Sequence, residues 1–426
     1  MKKIMIIGGG ASGLTAAITA ARMNPKAQIC ILEHKDSPGK KILATGNGRC
    51  NLTNRFQAMD CYRSRHPEIA EKILRQFTYE ETLSFFSSLG LLFRMRGDYV
   101  YPRSDQAAAV LDLMLMETRR LGIQIQTGIH VERITRSAKG FCIHSSAQNF
   151  QADAVILSAG GRASSALGSD GSGYTLAKSA GHSLVPVVPA LVQLKVKQHP
   201  YAKAAGVRTD AQVTAVIDGK PIASDKGELQ ITAYGISGIP VFQISRFAAD
   251  GLRQKRNVQV VIDFFPDVKE EELLSLLKRR KEENTFLTCA DFFMGIFHKK
   301  MIPRFLERAD IRMDQKASGL TDRQLHRLVR IVKADTVTIT DTNGFENAQV
   351  CAGGVPLTEI DPGTMESRCM RQLYLAGELL DVDGICGGYN LQWAWATGYL
   401  AGRACASSGH GDTGKKPKTS GKGKRS

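Results

Sequence analysis

The stretch that most restricts what this chain can fold into is its first 33 residues. KIMIIGG is a short apolar run, ASGLTAAITAARM has helical spacing, and QICILE is a second apolar run. Strand, glycine turn, helix and strand make a βαβ unit, which commits the chain to a parallel sheet. The turn contains Gly8-x-Gly10-x-x-Gly13, and Glu33 ends the second strand twenty residues beyond Gly13. Gly8 makes the turn, Gly10 lets a pyrophosphate approach the backbone, and Gly13 permits close helix packing. The helix N-terminus then faces the phosphate charge. A carboxylate at Glu33 can accept both hydroxyls of a ribose, and its charge disfavours a 2′-phosphate there. A dinucleotide site follows, and NAD and FAD both satisfy it.

A later segment decides between them. LYLAGE is a strand ending at Gly377-Glu378, followed by LLDVDGICGGYN and a helix that starts near Asn390. A second strand-to-glycine turn and a second helix N-terminus imply another ligand-facing backbone. FAD is long enough to need both, one for its pyrophosphate and one for ribityl and flavin; NAD alone leaves the second loop unexplained. A positive helix terminus beside the flavin ring would stabilise its anionic reduced form. Between these ends, TGNGRCNLTN at 45–54 is a glycine- and asparagine-rich loop. Such residues make a poor helix and a worse strand. It reads as a cofactor-lining loop whose glycines expose amides and whose Arg49 adds positive charge.

The order of motifs resembles that of the HI0933/YhiN-like family of FAD-dependent oxidoreductases, also described as BaiN-like or aminoacetone-oxidase-like. The resemblance rests on IIGGGASGLTAAI, GKKILATGNGRCNLTN, GGVPLTEIDPGTMESR and LYLAGELLDVDGICGGYNLQWAWATG. It implies an α/β fold: a discontinuous Rossmann-like FAD-binding domain with an inserted β-barrel-like domain and a small helical domain. It also implies FAD pyrophosphate on Gly8, Gly10, Ala11, Ser12 and Gly13, adenosine ribose on Glu33, and Lys40 near the phosphate or ribose. Gly46 and Asn51 would line the path to the flavin, Val131 would meet adenine through its backbone, and Gly160 would pass close by. Glu378 would face the ribityl chain, where related flavoproteins often carry Asp, and Asn390 and Leu391 would offer helix-terminal amides.

Texture along the chain fits that plan. Two amphipathic helical stretches cover about 67–90 and 104–121, a β-meander follows, and AVILSAGG at 154–161 is a buried strand. The FAD-binding domain is expected at 1–188 and 346–408. A β-rich insert spans 189–266, a helical subdomain 267–334, and a return strand 335–345. The last residues, 409–426, form a basic tail without aliphatic or aromatic residues, expected to be disordered. GSDGSGYTLAKSAGH at 168–182 is read as a domain-interface turn rather than a second nucleotide cradle.

Composition excludes several classes. No apolar run approaches the roughly 20 residues of a membrane span, and the N-terminal apolar run breaks too early at glycine for an export signal. A cytoplasmic protein is expected. The nine cysteines include no CxxC pair and the histidines no ligand spacing, so no metal is expected. No GxSxG is present, which removes the serine hydrolases. The formal charge of +16 admits a nucleic-acid-associated flavoprotein as the rival reading, but no aromatic-rich binding strand or RNA motif supports it. A non-catalytic flavin redox sensor is a further rival. The favoured expectation is a flavin enzyme passing hydride to or from a small organic substrate, with NAD(P)H or oxygen as electron partner. Arg49 and Tyr389 are the candidates for orienting substrate or stabilising a developing anion. Cys50 and Cys386 are expected to be inert buried thiols. Trp393 and Trp395, two apart on one helix, cannot share a face.

Overall fold

The computed structural model describes residues 1–407, so the expected basic tail at 409–426 lies outside the described residues. β1 (Lys3–Ile7), α1 (Ala11–Met23) and β2 (Gln28–Leu32) form the opening unit, with β1 and β2 parallel. β3 (Gln124–Gln126), β4 (Ala154–Leu157) and, much later in the chain, the strand Leu373–Leu375 complete a five-stranded parallel sheet. The first and last parts of the chain are therefore neighbours in one sheet, and their runs of Ile, Val and Leu are buried in one core. An antiparallel three-stranded sheet covers the meander, with strands Val131–Ser137, Gly140–Ser145 and Asn149–Ala152.

The insert leaves this core through β5 (Val185–Ala190) and returns through β6 (Val350–Gly354), which pair antiparallel. Between them six strands close into a barrel: Leu194–Val196, Gly235–Ser237, Lys220–Ile231, Arg208–Ile217, Val258–Asp263 and Asp335–Thr342, in hydrogen-bonded order. The helices Glu270–Glu283, Ile302–Arg308 and Asp322–Ala334 pack on it, and Leu277, Phe305 and Leu328 share a core with Val213 and Val260 of the barrel. Barrel and helices are thus built on one hydrophobic nucleus. One element is absent from the sequence reading, which saw only strands and turns at 189–266. The helix α2 (Ile239–Arg253) runs through that segment. Gly238 at φ +104° turns the chain, Pro240 pre-sets the first turn, and Val241, Ile244 and Ala248 form a buried stripe at helical spacing.

With β7 (Leu373–Leu375) and β8 (Asp383–Gly384) placed, the chain enters its last helix, α3 (Tyr389–Ser407). This helix lies directly on α1. A Cβ at Gly398 would come within 2.4 Å of the Ser12 carbonyl oxygen, and one at Gly402 within 2.4 Å of that of Ala16. Backbone contact this close needs the missing side chains. Its consequence is positional: α1 starts alongside the third turn of α3, and residues from the N-terminal turns of both helices border the same space.

Candidate active site

That space is a cavity of about 720 Å³, within the range of small-molecule and cofactor sites. All the residues assigned to the cofactor line it except Gly13: Gly8, Gly10, Ala11, Ser12, Glu33, Lys40, Gly46, Asn51, Val131, Gly160, Glu378, Asn390 and Leu391. Gly13 is a packing position, where a Cβ would sit 2.0 Å from the Gly8 carbonyl oxygen. A Cβ at Gly10 would meet nothing within 4 Å, because it would project into the cavity. No side chain caps the start of α1 and no acidic residue lies in its first turn, which leaves those amides free for an anion.

At the end of β2, the buried Glu33 accepts backbone N–H groups from Gly9 and Lys35, each at 2.8 Å, one on each oxygen. Each oxygen keeps a lone pair for a hydroxyl. Lys40 pairs with Asp36 at 2.5 Å while lining the cavity. Its neighbour Lys41, which the sequence reading passed over, also lines the cavity and reaches Glu378, Nζ to Oε2 2.7 Å. The other oxygen of Glu378 accepts the Cys351 N–H at 2.9 Å, so the carboxylate is held from both sides. Within GSDGSGYTLAKSAGH, read from sequence as a domain-interface turn, Gly168, Ser169, Ser172 and Leu176 line the same cavity.

The loop 45–54 is shaped by four residues with positive φ, Gly46, Asn47, Gly48 and Cys50. Its Asn51 points Oδ1 into a buried position where it has no hydrogen-bond partner. An orphaned acceptor of this kind costs about 1–3 kcal/mol unless something donates to it. At the other side Asn390 clamps Gly384, donating Nδ2–H to its carbonyl and accepting its N–H on Oδ1, both at 2.8 Å. That fixes the segment 384–388 against the first turn of α3. Glycine cradle, free helix amides and orphaned acceptor together fit a dinucleotide bearing an amide-like donor.

Neither catalytic candidate touches the cavity. Tyr389 is buried edge-to-face on Tyr62, with ring centroids 5.5 Å apart. Burial, reinforced by Cys61, raises its phenol well above the ordinary range, so it stays protonated near neutral pH. Arg49 is exposed at the lip, behind the cavity-lining Gly46 and Tyr101. Burial pushes both Cys50 and Cys386 up to about 12, which makes them inert thiols, although Cys386 lines the cavity. Trp393 lines it too and donates to the Gly377 carbonyl at 3.1 Å, while Trp395 lies in the core against Phe86. Missed by sequence reasoning are Tyr99, Tyr101, Ile239 and Phe242, which form an apolar wall; Ile239 and Phe242 come from α2 of the insert. Elsewhere the fold gathers His182, Glu359 and Cys369 within 4.8 Å of one another, though nothing in their spacing links them. Nδ1 of His182 faces Glu359 Oε2 at 2.8 Å, and its Nε2 faces Ser367.

Comparison with known proteins agrees with this geometry. The chain is 59% identical over 406 residues, 95% of its own length and 99% of the other, to a 3-dehydro-bile acid delta(4,6)-reductase of Clostridium scindens. It is 26% identical to a ribosomal RNA dihydrouridine synthase of Escherichia coli, over 94% of this chain and 96% of the other. The like-named protein of Haemophilus influenzae is 28% identical, over 95% and 97%. The model of the HI0933-like protein Rossmann domain matches residues 2–404. The chain belongs to the HI0933-like family and is an FAD-dependent oxidoreductase.

Proposed function

We propose that this enzyme saturates a carbon–carbon double bond conjugated to a carbonyl in a flat, mostly apolar substrate, a 3-oxo-4-ene or 4,6-diene bile acid. The observation that carries the reading is the 59% identity to the bile acid reductase, spread over almost the whole of both chains. The cavity supports it. Gly8, Gly10, Ala11 and Ser12 would hold the FAD pyrophosphate, Glu33 the adenosine ribose, Val131 and Gly160 the adenine end, and Asn51, Glu378, Asn390 and Leu391 the ribityl and flavin end. FAD supplies the hydride when bound. The chain's own part is to seat the substrate: Tyr99, Tyr101, Ile239 and Phe242 offer an apolar wall and exclude water from the reacting carbons. The insert, 189–345, acts as the cap that shapes this wall. NAD(P)H is the proposed electron donor. Among the described residues no helix is long and apolar enough to cross a membrane. The nine free cysteines suit a reducing cytoplasm, where we place the enzyme.

The test is anaerobic. Protein carrying FAD is reduced by NADH or NADPH and mixed with a 3-oxo-4-ene bile acid; reoxidation with formation of the saturated ketone supports the reading. Reoxidation by oxygen alone, with the steroid inert, refutes it. A second reading has its own observation. The lip strands Phe93–Arg96 and Tyr99–Pro102 bring Arg94 and Arg96 beside Tyr99 and Tyr101, and Arg49 and Arg103 beside them have no ion pair among the described residues. Uridine also carries a double bond conjugated to a carbonyl, so a ribosomal RNA substrate would use the same chemistry. That reading predicts salt-sensitive competition by ribosomal RNA against the bile acid.

A further inference from the structure

Behind the cavity wall lies a group of charged side chains that the cofactor reading does not use. Asp383 on β8 sits between the cavity-lining residues Val382 and Ile385 and is 1% exposed. Neither of its carboxylate oxygens has a hydrogen-bond partner. Nor does Nη1 of Arg63, which faces Asp383 across the antiparallel pair of β8 with Tyr62–Arg63. Arg246 of α2 brings Nη2 to 3.2 Å from Asp383 Oδ1, from the insert side of the interface. Both guanidinium groups lie over the ring of Phe247, at 5.1 and 5.4 Å.

Two arginines beside a carboxylate normally hold it charged through paired, well-aligned hydrogen bonds. Here the alignment is missing and desolvation dominates, so the Asp383 carboxyl is pushed up to about 7. Arg246 and Arg63 pull against that shift, and Asp381 and Glu378 add to it. Asp225 of the barrel also feels the charge of Arg63. The cluster has neighbours on two sides. Towards solvent, Asp381 accepts the N–H of the exposed Arg65 at 3.2 Å and lies near His66. Towards the cavity, the charge of Arg63 acts on the cavity-lining Cys386, whose N–H is fixed by Gln243 of α2 at 3.1 Å.

We propose that Asp383 stores the proton for the reduction, and that Arg63 and Arg246 are positioning residues: they hold the carboxyl beside the cavity wall at Val382 and Ile385 and steady the carboxylate left behind. The inference rests on the double-bond reduction proposed above. Hydride addition at the carbon β to the carbonyl breaks the π bond and leaves an enolate; its α-carbon then takes the proton. One C–H bond forms at each carbon, the electron pair comes from the reduced coenzyme, and Asp383 is reprotonated from solvent past Asp381. Positive charge on both sides stabilises the carboxylate that remains once the proton has been given up.

The test uses the FAD-loaded protein and two readouts. In infrared spectra at pH 6, the wild type should show a protonated-carboxyl band that shifts in heavy water. D383N should lose the band, and D381N and D225N should keep it. A band unchanged in D383N overturns the proposal. In anaerobic mixing, dithionite-reduced D383N should be reoxidised by a 3-oxo-4-ene bile acid at least ~100-fold more slowly than wild type, with reoxidation by oxygen unaltered. D383E should recover part of the loss and, where the amide variant fails to fold, carries the infrared test through a displaced band. Equal reoxidation of D383N and wild type by the steroid overturns the proposal and leaves the reductive reading standing. A wild type that the steroid does not reoxidise refutes the reductive reading, and the proposal that rests on it.

Discussion

Gly10 and Gly13 lie in the same six-residue turn yet should fail in opposite ways when changed to alanine. At Gly13 the new methyl would sit 2.0 Å from the Gly8 carbonyl oxygen and 2.8 Å from Ser158 Oγ. The first is backbone, more than about 1 Å short of ordinary contact, so α1 must move off β1. Overpacking of this kind costs about 1–3 kcal/mol and acts whether or not a coenzyme is present. At Gly10 the methyl would meet no protein atom within 4 Å, and φ is −80°, open to any residue. The fold should lose no more than about 0.5 kcal/mol. The methyl would instead occupy the space into which the free amides of α1 point. Losing one or two phosphate contacts there, at about 1.5–3 kcal/mol each for hydrogen bonds to a charged group, weakens FAD roughly 10- to 100-fold or more. Urea unfolding of the flavin-free protein, paired with flavin fluorescence titration, separates the two effects. Wild-type FAD affinity in Gly10→Ala would refute the placement of the pyrophosphate. A stable, FAD-binding Gly13→Ala would refute the packing argument.

Asn51→Ala should leave the flavin-free protein no less stable, because the Oδ1 it removes has no partner; FAD affinity should fall several-fold, by about 1 kcal/mol, in the same titration. Glu378→Gln breaks the 2.7 Å ion pair with the partly exposed Lys41, so stability should drop by no more than about 1 kcal/mol while the flavin absorbance spectrum changes; an unchanged spectrum removes Glu378 from the cofactor. Asp383 gives a pH dependence with a definite sign. Its folded value, about 7, lies above the ordinary aspartate value of 3.8, so the folded state binds the extra proton and stability falls as pH rises from about 4 to 7. Relative to wild type, Asp383→Asn should therefore gain stability over that window, by up to a few kcal/mol, and a gap in urea midpoints that does not widen with pH contradicts the assignment.

The cofactor half of the molecule was open to sequence reasoning because its signals are local. A glycine turn between a strand and a helix, and a carboxylate at the next strand end, are close enough in the chain to be read as one device. The late segment was legible for the same reason, since Gly377, Glu378 and Asn390 repeat that device. The substrate half was not. Ile239 and Phe242 reach the cavity through α2, whose β-branched residues after a glycine turn look like one more strand; only the spacing of Val241, Ile244 and Ala248 gives the helix away. Tyr389 misled for the opposite reason: a tyrosine at a helix start beside the ligand-facing glycines looks available, and only packing on Tyr62 turns it inward. Lys40 and Lys41 are adjacent, and the choice of which one meets Glu378 is made by the short helix Lys40–Ala44, not by composition. The Asp383 cluster joins β8 to the early strand Tyr62–Arg63 and to two elements of the insert, α2 and Lys220–Ile231, and no window of sequence contains it.

The paired β5 and β6 form a narrow neck, with departure and return on neighbouring strands. A module joined in this way can change its inner surface, or be exchanged whole, without disturbing the strands that grip the coenzyme. A new inner surface on the hood then needs no change in the parallel sheet, while Tyr99 and Tyr101 on the facing side belong to the first part of the chain.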